Sequence, residues 1–282
     1  MDLSIRQLTE ADVDRADAIL ISAFSSESRT TDLRRYLDLQ PDGWFLASAH
    51  GEPVGLVGSV DYGPFAYIGL MGVHQKAQHQ GIGTALMQHL LDRLDRRGTP
   101  TALLDASEAG HPLYLRLGFV DCDRSLVYQF TGEDKAPILP PGVRRLQPEE
   151  LEALGAFDVP IFGANRAKVF RSLLTAFPGR AFVREDEAGR ISGYIFAQGR
   201  RLGPWAASRP QDAEALLQTA LTLPFDGALS LVVPESNRPA IALLERAGLQ
   251  LVNASHRHMR RGGERHPGRR EAIYAQTSFA IG

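Results

Sequence analysis

Apolar and polar positions along the chain change period several times, and the order of those changes predicts a mixed α/β protein. Ile5 to Leu8 reads as a strand, and Thr9-Glu10-Ala11-Asp12 reads as a capping box with the shorter acid in its fourth position. A helix should follow, with Val13, Ala16, Ile19, Leu20 and Ala23 on its apolar face. Ser25 to Leu39 places Leu33, Tyr36 and Leu37 among hydroxyl and charged residues and predicts a second helix near a substrate entrance. Two strands, Gly43 to Ser48 and Pro53 to Val60, flank His50-Gly51-Glu52 and predict a hairpin. Ile68 to Val73 is another apolar run. Polar residues 74–80 come next, then Ala85, Leu86, Leu90 and Leu94 at helical spacing, so this stretch reads as strand, loop and helix.

The pattern then repeats. Val143-Arg144-Arg145-Leu146-Gln147-Pro148-Glu149-Glu150 echoes Ile5 to Asp12 at an offset of 138, and the same offset carries Gly51 and Gly55 onto Gly189 and Gly193. Farther on the offset is 130, taking Ala85-Leu86-Met87-Gln88 onto Ala215-Leu216-Leu217-Gln218, and Arg116 and Gly118 onto Arg246 and Gly248. Two copies of one fold are expected, residues 1–132 and 143–282, joined by a proline-rich linker over 133–142. The drop from 138 to 130 places an eight-residue deletion before the third helix of the second copy.

Gly81 and Gly83 stand where the loop becomes the helix, so uncovered backbone N–H groups there can meet an anion. A P-loop would need Lys and Ser/Thr after the second glycine, but Thr84-Ala85 follows. A dinucleotide fingerprint meets Leu86 in place of its third glycine, although Asp105 lies where a ribose-binding acid would, and seven residues separate strand from glycine.

Gln78-His79-Gln80-Gly81-Ile82-Gly83 resembles instead the Gln/Arg-x-x-Gly-x-Gly/Ala signature of the GNAT acyl-CoA N-acyltransferases. His111-Pro112-Leu113-Tyr114-Leu115-Arg116-Leu117-Gly118-Phe119 resembles that family's second hallmark, Tyr-x-x-x-Gly-Phe. The resemblance implies two tandem α/β (α+β) domains, each a mixed, mostly antiparallel sheet flanked by helices, with one splayed parallel pair. It implies that Gln78, His79, Gln80, Gly81, Ile82, Gly83 and Thr84 hold the pyrophosphate of acetyl-CoA. A backbone N–H at Met71, Gly72 or Val73 would polarise the thioester, and Tyr114 would serve the leaving sulfur. In the second copy Gln211, Asp212 and Ala213 replace the loop's glycine motif and Leu244 replaces Tyr114, so that copy is expected to be degenerate. Phe162-Gly163-Ala164-Asn165-Arg166 resembles a Phe-Gly-Ala-Asp-Arg motif of some two-domain relatives, with Asn165 in place of the acid, and Ala272 to Ile281 resembles their final strand.

A net charge of −2 gives no electrostatic case for nucleic acid or an anionic membrane, and no apolar run approaches the ~20 residues of a membrane span. The single cysteine, Cys122, allows no intrachain disulfide and too few ligands for a Cys-based metal site. With no signal-like amino terminus, a cytoplasmic protein without a metal is expected. The general base is open. Ile68 to Gly72 contains no carboxylate, which leaves Asp61, Asp105, Glu108 and His111, while His256 and His258 read as a solvated face. Asp61 and Asp105 would suit a cationic amine, and Arg29, Arg34, Arg35 and Arg166 a carboxylate. The expectation is acetyl transfer from acetyl-CoA to a primary amine of a small molecule, by a monomer or homodimer. A non-catalytic acyl-CoA-binding regulator and a protein or peptide N-acetyltransferase are the alternatives.

Overall fold

The computed structural model describes residues 2–132 and 139–282; residues 133–138, most of the expected linker, lie outside the described residues. The first repeat runs β1 (Leu3–Gln7), α1 (Val13–Phe24), α2 (Thr30–Leu39), β2 (Trp44–Ala49), β3 (Glu52–Asp61), β4 (Ala66–Val73), α3 (Ile82–Arg96), β5 (Thr101–Ala106), α4 (His111–Arg116) and β6 (Val120–Phe130). The second follows element for element: β7 (Val143–Arg145), α5 (Leu151–Phe162), α6 (Ala167–Ala176), β8 (Ala181–Glu185), β9 (Ile191–Ala197), β10 (Leu202–Ala207), α7 (Pro210–Ala220), β11 (Leu229–Pro234), α8 (Arg238–Arg246) and β12 (Gln250–Gly262). A short β13 (Ile273–Ala275) comes last.

Local chemistry sets the early elements. The backbone N–H and hydroxyl of Thr9 both donate to Asp12, and Arg6 clamps the same carboxylate at 2.7 and 2.6 Å, so the entrance to α1 is fixed from two sides. His50 and Gly51 have φ of 51° and 84°, as a two-residue type I′ turn between β2 and β3 requires.

Mostly antiparallel sheets flanked by helices match the sequence pattern, but the pairing crosses between the repeats. One sheet has eight strands in the order β1-β2-β3-β4-β5-β12-β6-β11. Each repeat thus places its last long strand against the other's: β12 pairs with β5 from Arg257↔Ala106 to Gly262↔Thr101, and β6 pairs with β11 from Leu229↔Phe130 to Pro234↔Ser125. No edge is left open in the middle, because β12 and β6 also pair with each other.

The second sheet runs β13-β10-β9-β8-β7. Here β13 fills the space between β10 and β11, pairing Ala275 with Trp205 and passing a hydrogen bond from Gln276 N to Val232 O of 2.8 Å. The expected final strand is therefore shorter than Ala272 to Ile281. Residues 276–282 leave the sheet and cross to the first repeat, where the Tyr62 hydroxyl donates to Ile281 O (2.6 Å) and the Tyr36 hydroxyl meets Ser278 Oγ (3.0 Å). One continuous apolar core joins the repeats there, with Leu20, Tyr36 and Trp44 from the first and Phe162, Phe170, Tyr194 and Ile281 from the second.

Candidate active site

β4 and β5 are parallel and pair only at Ala66↔Ala102 and Tyr67↔Leu103. Beyond that point they diverge. The divergence coincides with a bulge in β4: Leu56 faces Gly72 while Gly58 faces Gly69, and Leu70 takes a left-handed φ of 52° to hold the extra residue. His74 N donates to Val54 O at 2.8 Å, which assigns Gly72 to the same bonded set toward β3. By alternation the N–H groups of Val73 and Met71 face the open edge.

The loop after β4 is shaped by its own side chains. Gln78 Nε2 donates to Val73 O (3.0 Å) and Gln80 Nε2 to Lys76 O (3.4 Å), while His79 and Gly81 have φ of 61° and 81°. Gly81 is the N-cap of α3, where no side chain caps the helix, so the first N–H groups of Ile82, Gly83 and Thr84 await an acceptor. A Cβ at Gly81 would meet nothing within 4 Å, whereas one at Gly83 would stand 2.7 Å from Met71 Cε. This cradle fits a phosphate on its outside and packs against the splayed strand on its inside.

A cavity of ≈ 390 Å³ opens at the splay. Its walls come from both repeats: Ile68 to Met71 on β4, Leu104 and Asp105 on β5, Tyr114 on α4, and Phe24, Arg29, Asp32 and Tyr36 from the α1–α2 region. The second repeat adds Arg201, Ser230, Val232 and His256, and the closing segment adds Ser278, Phe279 and Ala280. Tyr114 is buried, packs edge-on to Phe119 at 5.9 Å, and has no hydrogen-bond partner among the described residues. Burial pushes its hydroxyl above the ordinary tyrosine value, so it holds its proton.

Asp105 lines the cavity, but its oxygens are already engaged. Tyr67 and Gln276 donate to Oδ2, and Ser125 (2.6 Å) and His258 Nδ1 (3.0 Å) to Oδ1. Burial opposes its charge, yet His258, Arg270 and Ser125 outweigh burial and hold it well below the usual carboxylate range. The histidines behind it form an ordered chain. His258 joins Asp105 through Nδ1 (3.0 Å) and His266 through Nε2 (3.0 Å), and His266 Nδ1 lies 3.2 Å from both the N–H and the carbonyl oxygen of Gly268. Burial lowers the pKa of both rings, that of His266 to about 4.

The reading of His256 and His258 as a solvated face is corrected: His258 is wholly buried and His256 is half-buried on the cavity wall. His256 stacks on Phe279 at 4.3 Å, and its buried Nδ1 has no partner among the described residues. Burial lowers its pKa below the ordinary histidine value, against the opposing pull of Asp105 and Glu108. It is a neutral base with a free nitrogen. The repeat offset of 130 aligns His256 and His258 with Leu126 and Tyr128, both buried, and that alignment was the available signal for two inward-facing histidines.

Other sequence candidates lie apart from the cavity. Asp61 holds a turn, accepting from Gly63 N (2.8 Å) and Thr99 Oγ1 (3.3 Å). Arg166 is buried in a bidentate pair with Asp158 (2.8 and 2.9 Å), bonds Tyr194 and Thr277, and sits 3.9 Å over the Phe162 ring, so four of its five N–H groups are engaged within the protein and it does not line the cavity. His111 meets Asp121 at 2.8 Å and Glu108 is exposed. In the second repeat the counterpart loop is gone; Asp212 at the start of α7 is buried and accepts from Arg184 (3.3 Å) and Arg209 (3.0 Å). With β13 in the gap as well, that repeat has neither the cradle nor the opening.

Comparison with known proteins agrees in both halves. Residues 13–119 match the model of the acetyltransferase (GNAT) family, and residues 155–275 match a model described as an acetyltransferase (GNAT) domain. Among relatives, a holothin acyltransferase of Pseudoalteromonas sp. is 24% identical over 258 residues, covering 89% of this chain and 85% of that protein. A mycothiol acetyltransferase of Streptomyces avermitilis is 35% identical over 94 residues, 32% of this chain and 30% of the relative. A crystal structure from Pyrococcus horikoshii, of a protein proposed to be an acetyltransferase, superposes with a TM-score of 0.87 at 28% identity over 99% of this chain and 96% of that one.

Proposed function

The chain belongs to the GNAT acetyltransferase family as a tandem two-domain protein, and from that premise we propose that its first repeat moves an acetyl group from acetyl-CoA to a primary amine of a small molecule. The observation that carries the reading is the single cavity wall shared by the splayed edge of β4, Tyr114 and His256. The uncapped start of α3, with Gly81 at its head, is suited to the pyrophosphate. The open N–H groups of Val73 and Met71 are suited to the thioester oxygen, and each such preorganised donor contributes a few kcal/mol where negative charge develops. His256 takes a proton from the substrate ammonium. The nitrogen then forms its bond to the acetyl carbon as the C–S bond breaks, the sulfur takes the Tyr114 proton, and the amide's surplus proton restores Tyr114.

The two curated relatives are named for holothin and mycothiol, which supports a small-molecule acceptor; a cavity of only ≈ 390 Å³ also suits one. A regulator that binds acyl-CoA without turnover is the second reading, favoured by the full engagement of Asp105.

Thiol release from acetyl-CoA should be followed over a panel of amines. Tyr114→Phe is expected to lower kcat roughly 10²–10⁴-fold while acetyl-CoA binding is kept. In His256→Gln, the loss of rate on acidification is expected to disappear. In the wild type that loss falls below the ordinary histidine value, because a base with a depressed pKa stays competent until the pH drops through it. Wild-type rates from both variants would remove the assignment.

A further inference from the structure

We propose that the acceptor carries an oxyanion, a carboxylate or phosphonate, as well as its amine, and that Arg29 and Arg201 bind that oxyanion at the threshold of the cavity. The inference rests on the proposed acyl transfer for the identity of the amine end, but not for the anion site itself.

A groove of ≈ 680 Å³ lies between the repeats, and Arg29, Asp32, Arg201 and Ser230 line both this groove and the inner cavity. These four residues form the passage between the two spaces. Arg29 stands just before α2 and Arg201 just before β10, so each repeat contributes one guanidinium. Neither guanidinium makes a hydrogen bond or ion pair to a described residue. Arg29 lies 5.7 Å from the Phe24 ring centroid, its main chain tied to Asp17 through its N–H. Burial lowers the Arg29 pKa and Arg201 lowers it further, against the weaker opposing pull of Tyr36, Asp32 and Asp17.

Among the described residues no carboxylate forms an ion pair with either guanidinium: Asp17 accepts from Arg29 N (2.6 Å) and Ser28 Oγ (2.7 Å), and Asp226 lines the outer groove. Asp32 is bonded to Arg35, whose Nε and Nη1 are themselves buried without partners, and Glu27 is bonded to Arg200. At the β5 and α4 end of the same cavity the ionised Asp105 stands near His256. The cavity is therefore polarised, negative where the amine would meet the thioester and positive where the acceptor enters. A zwitterion matches both ends, and two guanidinium forks give an oxyanion more geometric definition than a single lysine would.

The test uses matched amines in the full chain: L-phenylalanine against its amide, 4-aminobutyrate against its amide, and 2-aminoethylphosphonate against ethanolamine. The wild type is expected to favour at least one oxyanion-bearing member by roughly 10- to 100-fold in kcat/KM, the range of a lost charge-assisted hydrogen bond. Arg201→Gln should erase that preference mainly through KM, and Arg201→Lys should keep part of it. Carboxylate and phosphonate arms separate the two oxyanions. Calorimetric titration of the N-acetylated products with their neutral counterparts reads the site without turnover. Absence of turnover with charged products binding tighter, and losing that advantage in Arg29→Gln and Arg201→Gln, would uphold the anion site while the acyl-transfer reading fell. Turnover with equal rates for charged and neutral members would overturn the anion site and leave the acyl-transfer reading standing. No discrimination in either assay would overturn it as well.

Discussion

Among single residues, the arrangement around Asp105 shows how a group in the right place can be the wrong catalyst. Four donors hold its carboxylate ionised, so it sets the field of the cavity and anchors His258 without a free lone pair aimed at a substrate. His266 at the far end of that chain has a consequence for stability. Its folded pKa lies at about 4, below the ordinary value of 6.5, so between these values the unfolded chain binds the extra proton. Stability contributed by the neutral ring is present above pH 6.5 and is lost as pH falls toward 4. His266→Gln, whose side-chain amide can donate or accept toward His258, should flatten that slope. Urea midpoints at pH 7 and pH 5 check this, and an unchanged difference between them would exclude His266 as a source of acid lability. Arg166 makes a related point: a motif residue that looks free to bind a carboxylate is spent on Asp158 and on tying Thr277 into place.

The elements set by short-range chemistry are the ones that pattern alone predicts well. The capping box at Thr9, the turn at His50-Gly51 and the strand–loop–helix around Gly81 each depend on residues within a few positions of one another. The glycine cradle was legible for the same reason. The inward position of His256 was not, because the strand that carries it enters the first repeat's sheet from the far end of the chain. Nor does any local signal mark the path of residues 276–282, whose contacts reach β4, β5 and α2 of the first repeat as well as Gln198, Val232 and Arg166 of the second. Gly69 is a point of close approach: a Cβ there would lie 2.3 Å from Ala280 Cα. Gly69→Val is expected to expel this segment, costing about 1–3 kcal/mol as overpacking does, and to raise KM for the acceptor because Ser278 and Phe279 are cavity walls. Thermal melting and amide exchange across residues 276–282 report it; wild-type values in both would refute the close approach.

As a whole molecule, the protein is two copies of one fold made unequal. The second repeat closes its own opening with β13 and lends its face to the first, supplying Arg201 and His256 to a cavity whose cradle belongs wholly to the other half. Strand exchange makes the loan permanent. Residues 1–132 expressed alone would hold β6 with neither β11 nor β12 beside it, leaving two long unpaired edges and no His256. The fragment is expected to associate or aggregate, and adding residues 139–282 in trans should restore a compact one-to-one complex. A monomeric fragment by sedimentation, with the melting point of the full chain, would contradict the importance of the exchange.

The exchange also gives the protein a timetable. On a ribosome, the edge of β5 at Thr101 has no neighbour until Gly262 has been made. At ~5–20 residues per second the nascent first repeat waits on the order of ten seconds with that edge open. The half that holds the glycine cradle is thus the first to be translated and among the last to be finished, and a pause or truncation late in synthesis would leave the cavity without its second-repeat wall.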